Sequence, residues 1–347
     1  MPTSVELLQN SIVSWDTIKG NFDKPDLLLG NGFTLQFSGS FSYHSLFTIF
    51  LARCSPVHQE LFTQFKTTNF EIIQEYLSYG RDINTILGLS TVEIDDAINQ
   101  LKHGLIEAIE TIHPRATDID FNLLQHIAIQ LHEFGDIFTT NYDLYLYHIV
   151  MQSLDISAIE DGELGHIPNY IPYQDYFWGN RAPIGFKQFM DTQNRQLKNI
   201  FYLHGSLFIF KDAVDNLKLK KDRSSNELID KISNEIVNNK FPVFITEGTA
   251  PMKKHGIVND PYLSFCLDNL ENSDKSIVIF GNTLGAIDNH ILVSLKKKPK
   301  DIIYCLYIGN KDLNQILFEK HDFLSKFNSY PNPIYFVDSS TVFNLNP

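Results

Sequence analysis

The chain has 347 residues, of which 43% are hydrophobic and 20% charged, and a formal net charge of −13. That balance suits one large buried core or two ordinary ones and excludes disordered and fibrous classes. It also argues against a broad surface for nucleic acid or anionic membrane; the densest basic run, Lys218, Lys220, Lys221 and Arg223, reads as a solvated loop.

In chain order, the first expected strand is 26–29, whose Leu27-Leu28-Leu29 runs into Gly30-Asn31-Gly32-Phe33-Thr34. Residues 41–135 read as a helical insertion that packs on a sheet and roofs its edge. Within it, 57–79 is helical with Gly80 as its stop. Ile94, Ile98, Leu101, Leu105, Ile109 and Ile112 then repeat at helical spacing after Ser90 and Thr91, and 120–134 is helical up to Gly135. Strand 136–141 follows, with a helix from Leu144 to Met151. Across 156–198 periodicity is lost: Gly162, Gly165, Pro168, Pro172, Gly179, Pro183 and Gly185 interrupt a stretch kept apolar by Tyr170, Tyr173, Tyr176, Phe177 and Trp178. It is expected as an irregular aromatic-rich loop, either a lid or wall over a crevice or a packed excursion.

Further strands are expected at 199–204, 242–246, 276–281, 301–308 and 333–337. Between them, Ile229, Ile232 and Ile236 mark a helix that starts near Asn226. Asp260-Pro261 caps another that runs to Leu270, and 311–327 forms the last. The strand runs are continuous rather than alternating, as in strands covered on both faces. The expectation is a single α/β domain over 1–347, with a Rossmann-like, mostly parallel sheet and helices on both faces.

In such a sheet, ligands sit beyond the carboxyl ends of the strands. Four strand ends here carry polar or glycine-bearing turns suited to one crevice. Gly30-Asn31-Gly32 stands where backbone N–H groups can cradle phosphates; Leu35 replaces the third glycine of the dinucleotide fingerprint. Thr139-Thr140-Asn141-Tyr142-Asp143 is denser. Asn141 offers a donor and an acceptor that can orient a water or a carboxamide, while Asp143 can also cap the following helix. His204, beside Gly205, is a neutral base at a strand end. Gly281-Asn282-Thr283 is a second tight turn suited to a ribose or phosphate. His290 reads as a satisfied helix residue.

Cys54, Cys266 and Cys305 are far apart with no CxxC pair, so a Cys-ligated zinc site is not expected, and neither is a disulfide framework. Met1 to Asn10 lacks the basic flank and apolar core of a signal peptide, and no apolar run approaches a membrane span. A cytoplasmic protein without membrane partners is expected.

Taken in order, Gly30-Asn31-Gly32-Phe33-Thr34, Thr139-Thr140-Asn141-Tyr142-Asp143, His204-Gly205 and Gly281-Asn282-Thr283-Leu284 resemble the motifs of the sirtuin-like superfamily. The Thr-Thr-Asn-Tyr-Asp form is similar to bacterial sirtuin-like proteins of antiphage defence. Together with Thr246-Glu247-Gly248-Thr249 and Asp288-x-His290-Ile291, it also resembles an uncharacterised bacterial family near that group. The resemblance implies NAD as substrate. The first turn and Thr34 would face the diphosphate and nicotinamide side, with Thr140 and Asp143 beside them. Asn141 would orient the nicotinamide end or the attacking water, His204 would act on a ribose hydroxyl, and Gly281, Asn282 and Thr283 would hold the adenosine half. The four-cysteine zinc module and the peptide-gripping strand of the deacetylases have no counterpart here, which favours NAD hydrolysis, without a metal, over protein deacylation. Asn31 and Phe33 also depart from the deacetylase turn. A non-catalytic NAD or ADP-ribose sensor, a hydride-transferring oxidoreductase and an assembly subunit are the alternatives; a homo-oligomer and a phage-derived or protein activator are expected partners.

Overall fold

The computed structural model describes residues 2–37, 46–113, 115, 119–158, 171–181, 186–192, 194, 196–211, 216–219, 228–245 and 249–345. Helix α1 (Ser4–Gln9) opens on a capping box between Thr3 and Glu6 and leads through β1 (Ile12–Val13) and α2 (Trp15–Ile18) to β2 (Asp26–Leu29) and the short α3 (Asn31–Thr34). Helices α4 (Leu46–Arg53), α5 (Pro56–Gln64), α6 (Phe70–Leu87), α7 (Val92–Ile112) and α8 (Phe121–Gln130) precede β3 (Ile137–Thr139) and α9 (Tyr145–Ala158). Strands β4 (Tyr173–Gln174), β5 (Phe177–Arg181), β6 (Phe186–Phe189), β7 (Lys198–Tyr202), β8 (Gly205–Lys211) and β9 (Asn216–Leu219) follow. The rest is α10 (Leu228–Val237), β10 (Pro242–Phe244), α11 (Ala250–Val258), α12 (Pro261–Asn272), β11 (Ile277–Phe280), α13 (Asn289–Leu295), β12 (Ile302–Leu306), α14 (Leu313–Lys326) and β13 (Ile334–Asp338). No helix among the described residues is long and apolar enough to cross a membrane.

Eight strands form one parallel sheet, in the order β1-β13-β12-β11-β2-β3-β7-β4, flanked by helices in a Rossmann-like α/β arrangement. Leu27, Leu28 and Leu29 are all 0% exposed, as are Ile277, Val278 and Ile279 on the neighbouring strand. That is why these strands read as unbroken apolar runs: each side chain is covered, and each contributes about 1.5–3 kcal/mol on burial. From β2 the chain steps to β3 and β7 on one side, then returns through β11 to build β12 and β13 on the other. The order therefore reverses between β2 and β11, and a crevice opens at such a point beyond the carboxyl ends.

A second sheet departs from the expectation. Its five strands, β10-β8-β9-β6-β5, are antiparallel. The described parts of 156–198 thus contain strands β4 to β6 rather than irregular loop; Gly179, at φ +67°, lies in the register shift between Trp178 and Arg181. Strand 242–246, expected in the main sheet, is β10 of this second one. A strand buried on both faces gives the same apolar run in either kind of sheet. The helix stop also moves, because α6 continues through Gly80 and ends at Gly88, whose φ of +69° suits the left-handed cap. The expected start at Asn226, the basic run beyond Lys218 and the Thr246-Glu247-Gly248 segment lie outside the described residues.

Candidate functional site

Beyond the carboxyl ends of β2, β3, β11, β12 and β13 lies a cavity of about 1590 Å³. It is larger than the roughly 300–1,000 Å³ that holds a drug-sized ligand. Asn31, Gly32, Thr140, Asn141, Asp143, His204, Gly281, Asn282 and Thr283 all line it; Gly30, Phe33 and Thr34 do not.

The two glycine turns meet backbone to backbone. A Cβ on Gly32 would stand 2.6 Å from Gly281 Cα, and one on Gly30 would stand 2.5 Å from Asn282 Cβ. Gly281 adopts φ +69°, and its own Cβ would meet Phe33 N at 2.6 Å. This contact consumes the Gly30 and Gly32 amides, two of those expected to cradle phosphate. Gly30 N–H donates to the Phe280 carbonyl, Gly32 N–H to that of Gly281 and Phe33 N–H to that of Gly30, each at 2.9 Å. The glycines are required by the approach of β2 and β11, not by free donors. Phe33, 1% exposed, turns into the core against Phe37, Phe280 and Phe343.

Asn141 is held by the same turn. Its amide nitrogen donates to the Gly30 carbonyl at 3.0 Å and to Thr34 Oγ1 at 2.9 Å, and its backbone N–H donates to Thr139 Oγ1 at 3.0 Å. With both amide hydrogens engaged, the carbonyl oxygen Oδ1 is what the side chain can offer a ligand. Thr34, 0% exposed, donates its own O–H to Asp143 Oδ2 at 2.6 Å. Asp143 Oδ1 accepts from Tyr145 N–H at 2.8 Å, which is the capping role at the start of α9. Burial pushes the Asp143 carboxyl up from its ordinary range, while the Thr34 and Tyr145 bonds work the other way.

Asn282 ties the third turn to the second. Its Nδ2 donates to Thr140 Oγ1 at 3.1 Å, and its Oδ1 accepts from Leu284 N–H at 2.8 Å. That turn holds Leu284 at φ 48°, a left-handed conformation rare for a non-glycine residue. Thr283 is exposed on the cavity wall.

His204 sits where β7 of the parallel sheet gives way to β8 of the antiparallel one. Gly205 is needed there for packing: at φ +73° its Cβ would fall 2.1 Å from the Val243 carbonyl oxygen, so that space belongs to β10 and not to a ligand. His204 is 4% exposed. Its Nε2 stands 2.9 Å from His290 Nε2. Burial holds the His204 imidazole well below its ordinary pKa, with Lys253 and His290 adding to the effect. His290 is pushed down to about 4, chiefly by burial, against the opposing pull of Asp288. Both rings are therefore neutral near pH 7.

His204, Asp288 and His290 each bring one donor atom within 4.8 Å of the others, a set that can bind a dication. Lys253, 7% exposed on α11, already donates to Asp288 Oδ1 at 2.9 Å. A dication would enter beside this buried ammonium, so the carboxylate has its cation within the chain.

His290, expected as a satisfied helix residue, instead meets His204 and leaves its Nδ1 buried without a partner, and neither Lys253 nor the far end of the cavity was expected in the site. That end is formed by Tyr307, Gly309 and Lys311 after β12 and by Ser339, Ser340 and Thr341 after β13. Glycine or hydroxyl groups at those strand ends were the available signal. No described residue of 156–198 lines the cavity. The profile of the family described as "Domain of unknown function (DUF4917)" matches residues 27–341, from β2 past the end of β13. No curated protein matches the chain.

Proposed function

The chain belongs to the DUF4917 family, and from its cavity we propose that it is an NAD-consuming glycohydrolase that cleaves the nicotinamide–ribose bond, acting in the cytoplasm in bacterial antiphage defence. The observation that supports this reading is the convergence of Asn141 and His204, from adjacent parallel strands, on one wide cavity at the sheet's switch point. Cleavage passes through an oxocarbenium-like ribose while nicotinamide departs neutral, so the leaving group needs little acid help. The site must instead orient the substrate and place a water for attack on the ribose carbon. Asn141 Oδ1 accepts a hydrogen bond from that water or from the carboxamide. His204 takes up a ribose hydroxyl proton once a hydroxyl replaces His290 at its Nε2. Incubation of the purified protein with NAD tests this: nicotinamide and ADP-ribose accumulate in equal amounts, and an intact NAD pool refutes the reading.

The internal bonds of Asn141 and His204 favour a second reading, in which the cavity holds NAD or ADP-ribose as a signal or awaits a phage-derived or protein activator. Calorimetric binding of NAD without product release, with candidate activators absent and present, distinguishes the two. The same proposal extends to self-association: α6 exposes Tyr79, Ile83 and Ile86 at 56, 54 and 83%, an apolar face open to a second copy, which light scattering on an Ile83→Glu/Ile86→Glu variant tests.

A further inference from the structure

His204 and His290 are 86 residues apart, yet their rings stack at 27° with centroids 5.1 Å apart and Nε2 atoms 2.9 Å apart. Each residue is 4% exposed. Two buried nitrogens at that distance need one proton between them, because an unmade buried bond costs about 1–3 kcal/mol. His290 Nδ1 is buried without a hydrogen-bond partner, and a stranded N–H is rarer in a protein interior than a stranded acceptor, so the proton of His290 lies on Nε2. The shared proton is then His290's and the lone pair that meets it is on His204 Nε2, so the neutral His204 ring carries its own proton on Nδ1.

We infer that His290 is a positioning residue: its Nε2–H fixes the ring plane of His204 and keeps His204 Nε2 as the basic nitrogen beside the cavity. The elements around it hold this arrangement. Ser294 Oγ lies 2.9 Å from the His290 carbonyl and 3.0 Å from Glu271 Oε1, so its one proton is shared between these two acceptors beside the first turn of α13. On the facing side, α11 brings Lys253 to Asp288, and this ammonium opposes protonation of either ring. The catalytic consequence rests on the glycohydrolase reading; the tautomer assignment does not.

The test uses the full chain, with His290→Gln, which keeps an N–H donor near the position of Nε2, and His290→Leu, which keeps volume without a donor. Nitrogen-15 spectra of labelled histidine are expected to show His204 as the neutral Nδ1–H tautomer in wild type and His290→Gln, and as a mixture in His290→Leu. Turnover of NAD is expected to fall roughly 10- to 100-fold in His290→Leu, carried by kcat and not KM, and to recover most of that loss in His290→Gln. A wild-type His204 that is charged or protonated on Nε2 overturns the inference. So does a His290→Leu protein with unchanged tautomer and turnover, or one dication per purified chain that His290→Leu loses. If His290→Leu does not fold, the wild-type spectrum alone decides. Wild type without any NAD cleavage removes the proposed function but leaves the spectrum to judge His290.

Discussion

Thr34 Oγ1 donates to Asp143 Oδ2 at 2.6 Å, closing a contact between residues 109 apart in sequence. The same hydroxyl receives Asn141 Nδ2 at 2.9 Å, so one buried oxygen joins the turn after β2 to the turn after β3. Thr34→Val keeps the shape and removes the node, leaving a carboxylate oxygen and an amide hydrogen unpaired. A loss of about 1–3 kcal/mol per stranded group is expected, seen as a melting temperature lower by several degrees, with Thr34→Ser close to wild type. A Thr34→Val protein that melts like wild type denies the lock.

Asn141→Ala removes the amide oxygen that this network leaves for a ligand at the cavity wall. NAD cleavage is expected to fall by at least about 100-fold, as when a single positioned polar group is deleted from an active site. Thr34→Val leaves Asn141 Oδ1 in place and is expected to lose less. Equal losses in the two variants mean that Asn141 acts only through the fold, and product analysis by chromatography separates these outcomes.

Gly32→Ala and Gly281→Ala press on the same contact from opposite sides. The added methyl would lie 2.6 Å from Gly281 Cα in the first case and 2.6 Å from Phe33 N in the second, where φ is also +69°. Backbone neighbours cannot swing away as a side chain can, so each variant is expected to lose at least about 1–3 kcal/mol. Gly20→Ala, with no atom within 4 Å of the new methyl, is the control and should denature near the wild-type midpoint.

His113, 4% exposed, is pushed down to about 4 by burial, against a hydrogen bond to the Ile109 backbone. Its unfolded pKa is about 6.5. Between those values the unfolded chain holds the extra proton. The stability owed to this residue is therefore intact above about pH 6.5 and declines towards pH 4, by about 1.4 kcal/mol per unit. His290 and His204 act in the same direction. Urea titrations at pH 7, 6 and 5 should show the decline, and His113→Phe should lessen it by one residue's share. An unchanged slope in that variant assigns the acid sensitivity elsewhere.

Burial pushes the thiols of Cys266 and Cys305 far up, and it raises the half-buried Cys54 as well. Since the thiolate is the reactive form, a disulfide reagent at neutral pH should label Cys54 at most, slowly, and all 3 cysteines only after denaturation. Rapid native labelling at Cys266 or Cys305 contradicts the packing around α12 and β12.

The parallel sheet and the meeting of four strand ends were legible because a strand covered on both faces must be apolar until it stops, and here it stops on Asn, His or Gly. The antiparallel sheet was not legible. Strands β5 and β6 are short, Gly179 falls within their pairing, and β10 looks like any buried strand. Backbone accounting is invisible in a sequence too, so Gly30 and Gly32 looked like an anion cradle when their amides serve β11. His290 read as a satisfied helix residue because its partner lies on a distant strand end; the Asp288-x-His290 spacing at a helix start was the trace it left.

Among the described residues, the parallel sheet ends on both margins in strands of only two residues, β1 and β4. Each margin offers a stranger's backbone hardly any ladder to extend, so templated association of one molecule on another has little purchase. The apolar interior strands are thereby kept away from any open edge of the parallel sheet.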